Sequence, residues 1–415
     1  MGSKSRVPML GCLVFVAVVW VLVALAVICL VFVWAGNEEP FDDSDMAVAN
    51  REVPDDENAY QFLRKTASAA TWTESEDASV EAMMKSTPEP SGYPEKFLAA
   101  NQESLGYLRK ALVCEQSYYK EDPSTEASAR ERGAEAVLWA LWHETRRTSG
   151  ADEQIELALR AIHLGHTLKG NGAPLVPFLR GQSYQAYGYA MLREILATQD
   201  PSGELMMRCL GDVVAAQADA PLLADSLRSE YVQLKATLDK ELGNRKWRLG
   251  VYNDNATKRN VLMQYRQFIE NTDRFYRDVV TPPEDEEESV IIMMLKGNAI
   301  GNIMSEILIP PMDGIYVSLA YRRSYNSAVQ VLLALKVYHM RNGELPETLD
   351  VLVPEFFAEV PKDWFDGGPI KYNRDKAIVY CVGKDLADQG GGDPETKWQQ
   401  SEDPAWAIGF VSPGT

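Results

Sequence analysis

The chain has 415 residues, 46% of them apolar, and a formal net charge of −19. That length admits one large domain or two modest ones with buried cores, and the acidity excludes nucleic acid, whose phosphates need clustered Lys and Arg. Of five cysteines, Cys12 and Cys29 fall in the N-terminal apolar run; Cys114, Cys209 and Cys381 are an odd number without short spacing, so no disulfide framework is indicated and one opportunistic pair stays open.

Residues 1–8 carry Lys4 and Arg6 and precede an uninterrupted apolar run, Met9 to Ala35, with no charged residue. The run exceeds the roughly 20 residues that cross a bilayer core. Glu38, Glu39, Asp42, Asp43 and Asp45 follow it, so the positive-inside bias predicts a cytoplasmic N-terminus and an extracytoplasmic remainder. A cleaved signal has an apolar region of only about 7 to 15 residues. Val33 and Ala35 nonetheless offer small residues to a peptidase, and a released form is the alternative. Residues 36–56 are acidic and punctuated by Pro40 and Pro54, the pattern of an extended linker holding the domain off the membrane.

Over 57–309 the pattern is helical. A first helix is expected over 57–70, and Thr71 to Pro94 interrupts it. From Glu95 the residues Phe97, Leu98, Leu105, Leu108 and Leu112 recur at amphipathic spacing. Further helices are expected at 130–148, 153–168, 178–198, 205–217, 222–242, 257–278 and 288–309, separated by Gly and Pro. No fixed repeat period emerges, so an irregular antiparallel α-helical domain is expected instead of a solenoid. Pro310-Pro311 stops the last helix and predicts a module boundary.

Beyond it, over 312–415, Tyr321, Tyr325, Ala328, Leu332, Leu335 and His339 form one stripe of a long helix ended by Asn342-Gly343. Short strands are expected at 370–372, 377–382 and 406–411, which makes a small α+β module, a long helix on an antiparallel sheet. The fold class is therefore mainly α: a transmembrane helix over 9–35, a helical domain, and this module. The third segment resembles the C-terminal part of the major pseudopilin of type II secretion systems. The likeness is carried by Tyr338 with Asn342-Gly343-Glu344-Leu345-Pro346, by Val360-Pro361-Lys362-Asp363, by Gly368-Pro369-Ile370-Lys371-Tyr372, and by Tyr380-Cys381-Val382-Gly383-Lys384-Asp385, about a fifth of the chain. The resemblance implies a soluble head and a calcium ion in the loop after the paired strands, where Asp385, Asp388 and Asp393 match the ligands. The apolar run lacks the glutamate of a pseudopilin and is separated from the head by the helical domain. The whole chain is similar to uncharacterised bacterial membrane-anchored proteins that pair a segment like Pro54-Asp55-Asp56-Glu57-Asn58-Ala59 with a helical middle.

Other chemistry was sought residue by residue. His163 and His166 lie one turn apart and share a face, the geometry of two metal ligands. No Glu follows His163, so the helical zinc-protease motif is incomplete, and polar residues bordering the Leu159/Ile162 stripe are the plainer reading. His143 beside Trp139 and Trp142 reads as packing. Tyr184, Tyr187 and Tyr189 read as core, with a ligand groove as the alternative. Gly390-Gly391-Gly392 precedes no helix and is no phosphate cradle. The expected protein is a non-enzymatic scaffold or interaction protein of the bacterial inner membrane, single-pass, with its bulk periplasmic and an envelope protein as partner. The rivals are a metal-dependent hydrolase using His163 and His166, and a small-ligand-binding helical domain.

Overall fold

Asn58 starts the first helix and ties it to the chain that returns beside it. Its side chain accepts the Tyr60 N–H at 3.1 Å and the Tyr118 N–H at 3.0 Å, and donates to the Tyr118 carbonyl at 2.9 Å. The computed structural model that contains it describes residues 18–25, 27, 39–49, 51–84, 92–119, 127–216, 220–242, 253–280, 298–309 and 312–410. The described chain is mostly helical, with one small three-stranded antiparallel sheet near its C-terminal end. Residues 18–25 and 27 of the apolar run are helical and exposed; the rest of the expected membrane helix lies outside the described residues.

The chain divides into two compact units. The smaller comprises Met1–Ala47, Tyr231–Gln267 and Thr281–Pro311; the larger comprises Val48–Glu230, Phe268–Val280 and Met312–Thr415. One unit boundary lies between Pro311 and Met312. Met312–Thr415 nevertheless shares one unit with the helical array of Val48–Glu230, because the long helix is packed from both sides.

In the larger unit, α1 (Ala59–Ala69) packs on α4 (Gln102–Ala111) and α5 (Ala127–Thr148), with α2 (Asp77–Met84) and α3 (Tyr93–Ala100) also against α5. Sequence spacing suggests one helix from Glu95 to Leu112; the structure has two, broken at Asn101. That buried side chain accepts the Thr71 N–H at 2.7 Å and donates to the carbonyls of Thr71 and Phe97. The apolar stripe runs through the break and conceals it. The Thr71 to Pro94 stretch holds α2, which follows a capping box between Thr73 and Glu76.

Helices α6 (Ala151–Lys169) and α7 (Leu175–Thr198) make the most extensive contact in the chain, and glycines permit it. A Cβ on Gly181 would stand 2.5 Å from the Gly165 carbonyl oxygen, and one on Gly165 2.3 Å from that of Gly181. Gly188 lies equally close to Ala158 and Ile162. Helix α8 (Gly203–Ala215) and α12 (Met312–Asn342) pack on this pair, and α12 is buried on every side from Arg323 to Val337.

The sheet has the order β1 (Lys371–Asn373), β2 (Ile378–Tyr380), β3 (Ala405–Ala407). Tyr372 pairs with Val379 and Val379 with Trp406, so the fully buried β2 is central. Trp406 stacks on Tyr325 of α12 with ring centroids 5.3 Å apart, and Trp398 on Tyr321 at 4.3 Å. A long helix on a small antiparallel sheet is thus present.

The smaller unit contains residues 39–47, the second half of α9 (Ala220–Leu242), α10 (Asp254–Glu270) as far as Gln267, and α11 (Ala299–Leu308). Residues 39–47 differ from the expected free spacer. Asp43 accepts the Tyr231 hydroxyl at 2.8 Å and pairs with Lys235; Asp45 pairs with Arg266 at 2.6 Å, and the Glu39 carbonyl accepts from Arg259 at 3.1 Å. Met46 is buried beside them. The acids that read as solvated linker are the partners of basic residues some two hundred positions away. Of the helix expected over 288–309, residues 288–297 lie outside the described set.

Gly181→Ala is expected to destabilise the chain by about 1–3 kcal/mol through overpacking. Gly211→Ala in α8, where an added Cβ meets nothing within 4 Å, is expected to raise stability by about 0.5–1 kcal/mol. Denaturant titrations of the two variants check the contrast.

Candidate functional site

Helix α6 carries His163, exposed, and His166, half-buried, to the wall of a 370 Å³ cleft facing α8. Glu156, Arg160, Arg208 and Asp212 also line it. Glu156 is the only acid on the α6 wall, and it already accepts from Arg160 at 3.0 Å and Arg208 at 3.4 Å. His163 has Thr167 at 3.4 Å as its neighbour one turn on. Among the described residues no group of three or more His, Cys, Asp or Glu side chains is arranged to hold a metal ion. A zinc site needs at least three protein ligands; Glu156 and Asp212 share the cleft, but among the described residues neither completes such a group with the two histidines.

The loop after β2 shows a different arrangement from the expected calcium trio. Asp385 accepts the Ala387 N–H at 3.3 Å and the Gln389 amide at 2.8 Å. Asp388 accepts the Gly390 N–H at 2.9 Å and the Tyr380 hydroxyl at 3.0 Å, and Asp393 the Glu395 N–H at 3.0 Å. Each carboxylate thus closes a local turn, the usual work of Asp in loops. The residue organising the loop is Asp403, just before β3. Its Oδ2 accepts the Gln389 and Gly391 N–H groups at 2.8 and 2.9 Å, while its buried Oδ1 has no partner. Burial, with Asp388 and Asp385 adding repulsion, pushes its pKa above the ordinary carboxylate value. Sequence reading missed it because it stands apart from the glycine-rich loop.

A second buried acid joins α12 to the sheet. Asp363 is wholly buried; its Oδ1 accepts the Ser324 hydroxyl at 3.2 Å and the Phe365 N–H at 2.9 Å, and its Oδ2 the Val382 N–H at 2.9 Å. Burial pushes its pKa up to about 6, against the lowering effect of those N–H donors. Cys381 beside it is fully buried with its thiol pKa raised well above the ordinary value by burial. Such a thiol is inert, and Cys114 and Cys209 are likewise buried and free. Ser324, Asp363 and Cys381 therefore form a structural junction inaccessible to a substrate.

The aromatic candidates are core. Tyr184 and Tyr189 are buried, the latter edge-on to Tyr325 at 5.7 Å, and His143 contacts the Met83 carbonyl at 2.9 Å. Between α7 and α12 a cavity of about 20 Å³ is lined by Gln182, Tyr189, Arg322, Arg323 and Asn326. It has room for a single water, and the Gln182 amide, buried without a partner, is the group such a water would satisfy.

No protein-family model, curated protein or solved structure matches the chain.

The two buried acids predict an inverted pH response. Because Asp363 is raised in the folded state, the folded chain binds more protons than the unfolded one between the two pKa values. The contribution of this group to stability is then greatest near pH 4 and falls as pH rises through about 6, by on the order of 3 kcal/mol. Asp363→Asn is expected to remove that slope while lowering stability by about 1–3 kcal/mol, since one amide N–H₂ must face a backbone N–H. Asp403→Asn is expected to flatten the remaining slope with little loss, its oxygen keeping the two loop N–H groups. Urea midpoints across pH 4 to 8 measure both.

Proposed function

We propose that this chain is a non-enzymatic, single-pass protein of the bacterial inner membrane whose periplasmic part is a scaffold or interaction surface in envelope assembly or secretion. The observation that carries the reading is the helical stretch over residues 18–25. Val18, Val19, Trp20, Val21, Leu22, Val23 and Leu25 are all exposed there, Trp20 at 69%. Water does not stabilise a helix exposed on every face with only apolar side chains; a hydrocarbon surround does. The preceding Lys4 and Arg6 and the acids after residue 37 support the orientation. By length and composition one stretch among the described residues, Ile300–Asn342, is apolar enough to cross a membrane. Its α12 portion is the buried core of the larger unit, which accounts for its apolarity.

The likeness of residues 312–415 to a pseudopilin head rests, in this reading, on the sequence motifs and on the long helix packed against a three-stranded antiparallel sheet. A protein partner in the envelope is the ligand class that suits a tethered helical array. The catalytic alternative at His163 and His166 has less support, because Glu156 is engaged by two arginines.

Two measurements test the anchor. Intact-mass analysis of membrane-extracted protein is expected to find the apolar run retained, and a mature N-terminus near Gly36 would defeat the proposal. Protease added to spheroplasts is expected to digest the chain beyond residue 38 without lysis.

A further inference from the structure

Helix α11 has two unlike sides. On one, Ser305 and Asn298 are buried, and Gly301 is so close to α10 that an added Cβ would stand 2.0 Å from the Thr257 hydroxyl. On the other, Ile300, Ile303 and Ile307 recur at one helical stripe and are exposed at 38%, 38% and 75%, with Leu308 beside them at 38%. An exposed apolar stripe of this kind marks an interaction surface.

What covers it follows from the chain leading out of the apolar run. Glu39 is already fastened to the smaller unit, its carbonyl accepting from Arg259 of α10 at 3.1 Å. Only three residues separate it from Ala35 at the end of the run, and the four Cα–Cα steps reach at most about 14 Å. The next residue of α10, Asn260, donates to Asn302 of α11 at 3.1 Å. Glu39 and α11 are therefore held by adjacent residues of one helix. If the run spans the bilayer, α11 is held within a short distance of the lipid surface.

We infer that Ile300, Ile303, Ile307 and Leu308 of α11 insert into the periplasmic leaflet of the same membrane, so that the smaller unit lies on the bilayer instead of standing away from it. This rests on the membrane-anchored reading above. Ten residues of helix are about 15 Å long, far short of the roughly 30 Å hydrocarbon core, so α11 lies in the interface as amphipathic helices do. Electrostatics permits the approach. Asp43 and Asp45 are matched by Lys235 and Arg266, and the Lys235 ammonium holds the Asp43 carboxyl below its ordinary pKa. Two of the acids that follow the run are thus paired, which reduces their repulsion from anionic headgroups.

Site-directed spin labels on the full-length protein test this. Cys12 and Cys29 are replaced by Ala; Cys114, Cys209 and Cys381 are buried. Single labels are placed through Ile303→Cys, Ile307→Cys, Val21→Cys in the apolar run and Glu344→Cys, the last at an exposed loop position. The protein is reconstituted into phosphatidylcholine/phosphatidylglycerol nanodiscs, and relaxation by oxygen, which partitions into lipid, is compared with that by a water-soluble nickel chelate. At 303 and 307 oxygen is expected to dominate, as at 21, with the order inverted at 344. Nickel dominance at 303 and 307 with oxygen dominance at 21 would overturn the inference and leave the anchor standing. Exclusion of both reagents at 303 and 307 would mean that protein covers the stripe, and would overturn it too. Nickel dominance at 21 would remove the anchor reading and this inference together.

Discussion

The larger unit is organised around a place where two backbones nearly touch. Packed helices ordinarily keep axes about 8–10 Å apart, with a layer of side chains between them. Along α6 and α7 that layer is absent at Gly165, Gly181 and Gly188, and carbonyl oxygens occupy the space a methyl group would need. The approach brings Lys169, itself wholly buried, to 2.7 Å from the Gln185 amide oxygen, so the ammonium is held inside by a neutral acceptor. From α7 the contacts run outward: Glu194 to Arg146 and Trp142 of α5, and Tyr189 to Asn326 and Tyr325 of α12. Widening the seam by one side chain would displace all of them together, because a close-packed interior passes strain on.

The same unit closes its other end with carboxylates inside protein. Asp363 gathers donors from α12, from its own loop and from the end of β2, and Asp403 gathers two from the loop after β2. Three or two N–H and O–H groups around one acid form a small polar knot that fixes geometry more than it adds stability, since removing a charge from water offsets much of what its hydrogen bonds contribute. That is a reason for such acids to hold a fold in one register without performing chemistry.

Much of this was legible in the sequence, and the parts that were not share a cause. Spacing of apolar residues located α5 to α9 and the end of the long helix to within a few positions, because Gly or Pro punctuates them, but it carried α10 eight residues past its end at Glu270. It missed the break at Asn101, where a single side chain bonds to a residue thirty positions away, and it missed α2, whose few apolar residues lie in a stretch rich in Ser and Thr. Of the candidate sites, the spacing of His163 and His166 put them on one wall as expected, but whether an acid such as Glu156 or Asp212 of the same cleft comes into ligand geometry depends on how the helices pack. Asp385, Asp388 and Asp393 sit on the expected loop, yet each is spent on its own turn. Periodicity reports local faces; it carries no information on which distant acid, Asp403 here, will point inward.

Each compact unit is assembled from three separated stretches of one chain. A polypeptide made from its N-terminus delivers α1 to α8 first and the covering elements last. The Ile408 N–H bonds to the Ala377 carbonyl at 2.9 Å, and Trp406 lies against Tyr325. Until those final residues arrive, Tyr325 has Tyr189 and Arg193 of α7 against it but not the stacked Trp406. Folding of this protein is thereby put in sequence: the earlier helices wait, partly uncovered, for the tail, and in that interval Tyr321 and Tyr325 lack the tryptophans that stack on them.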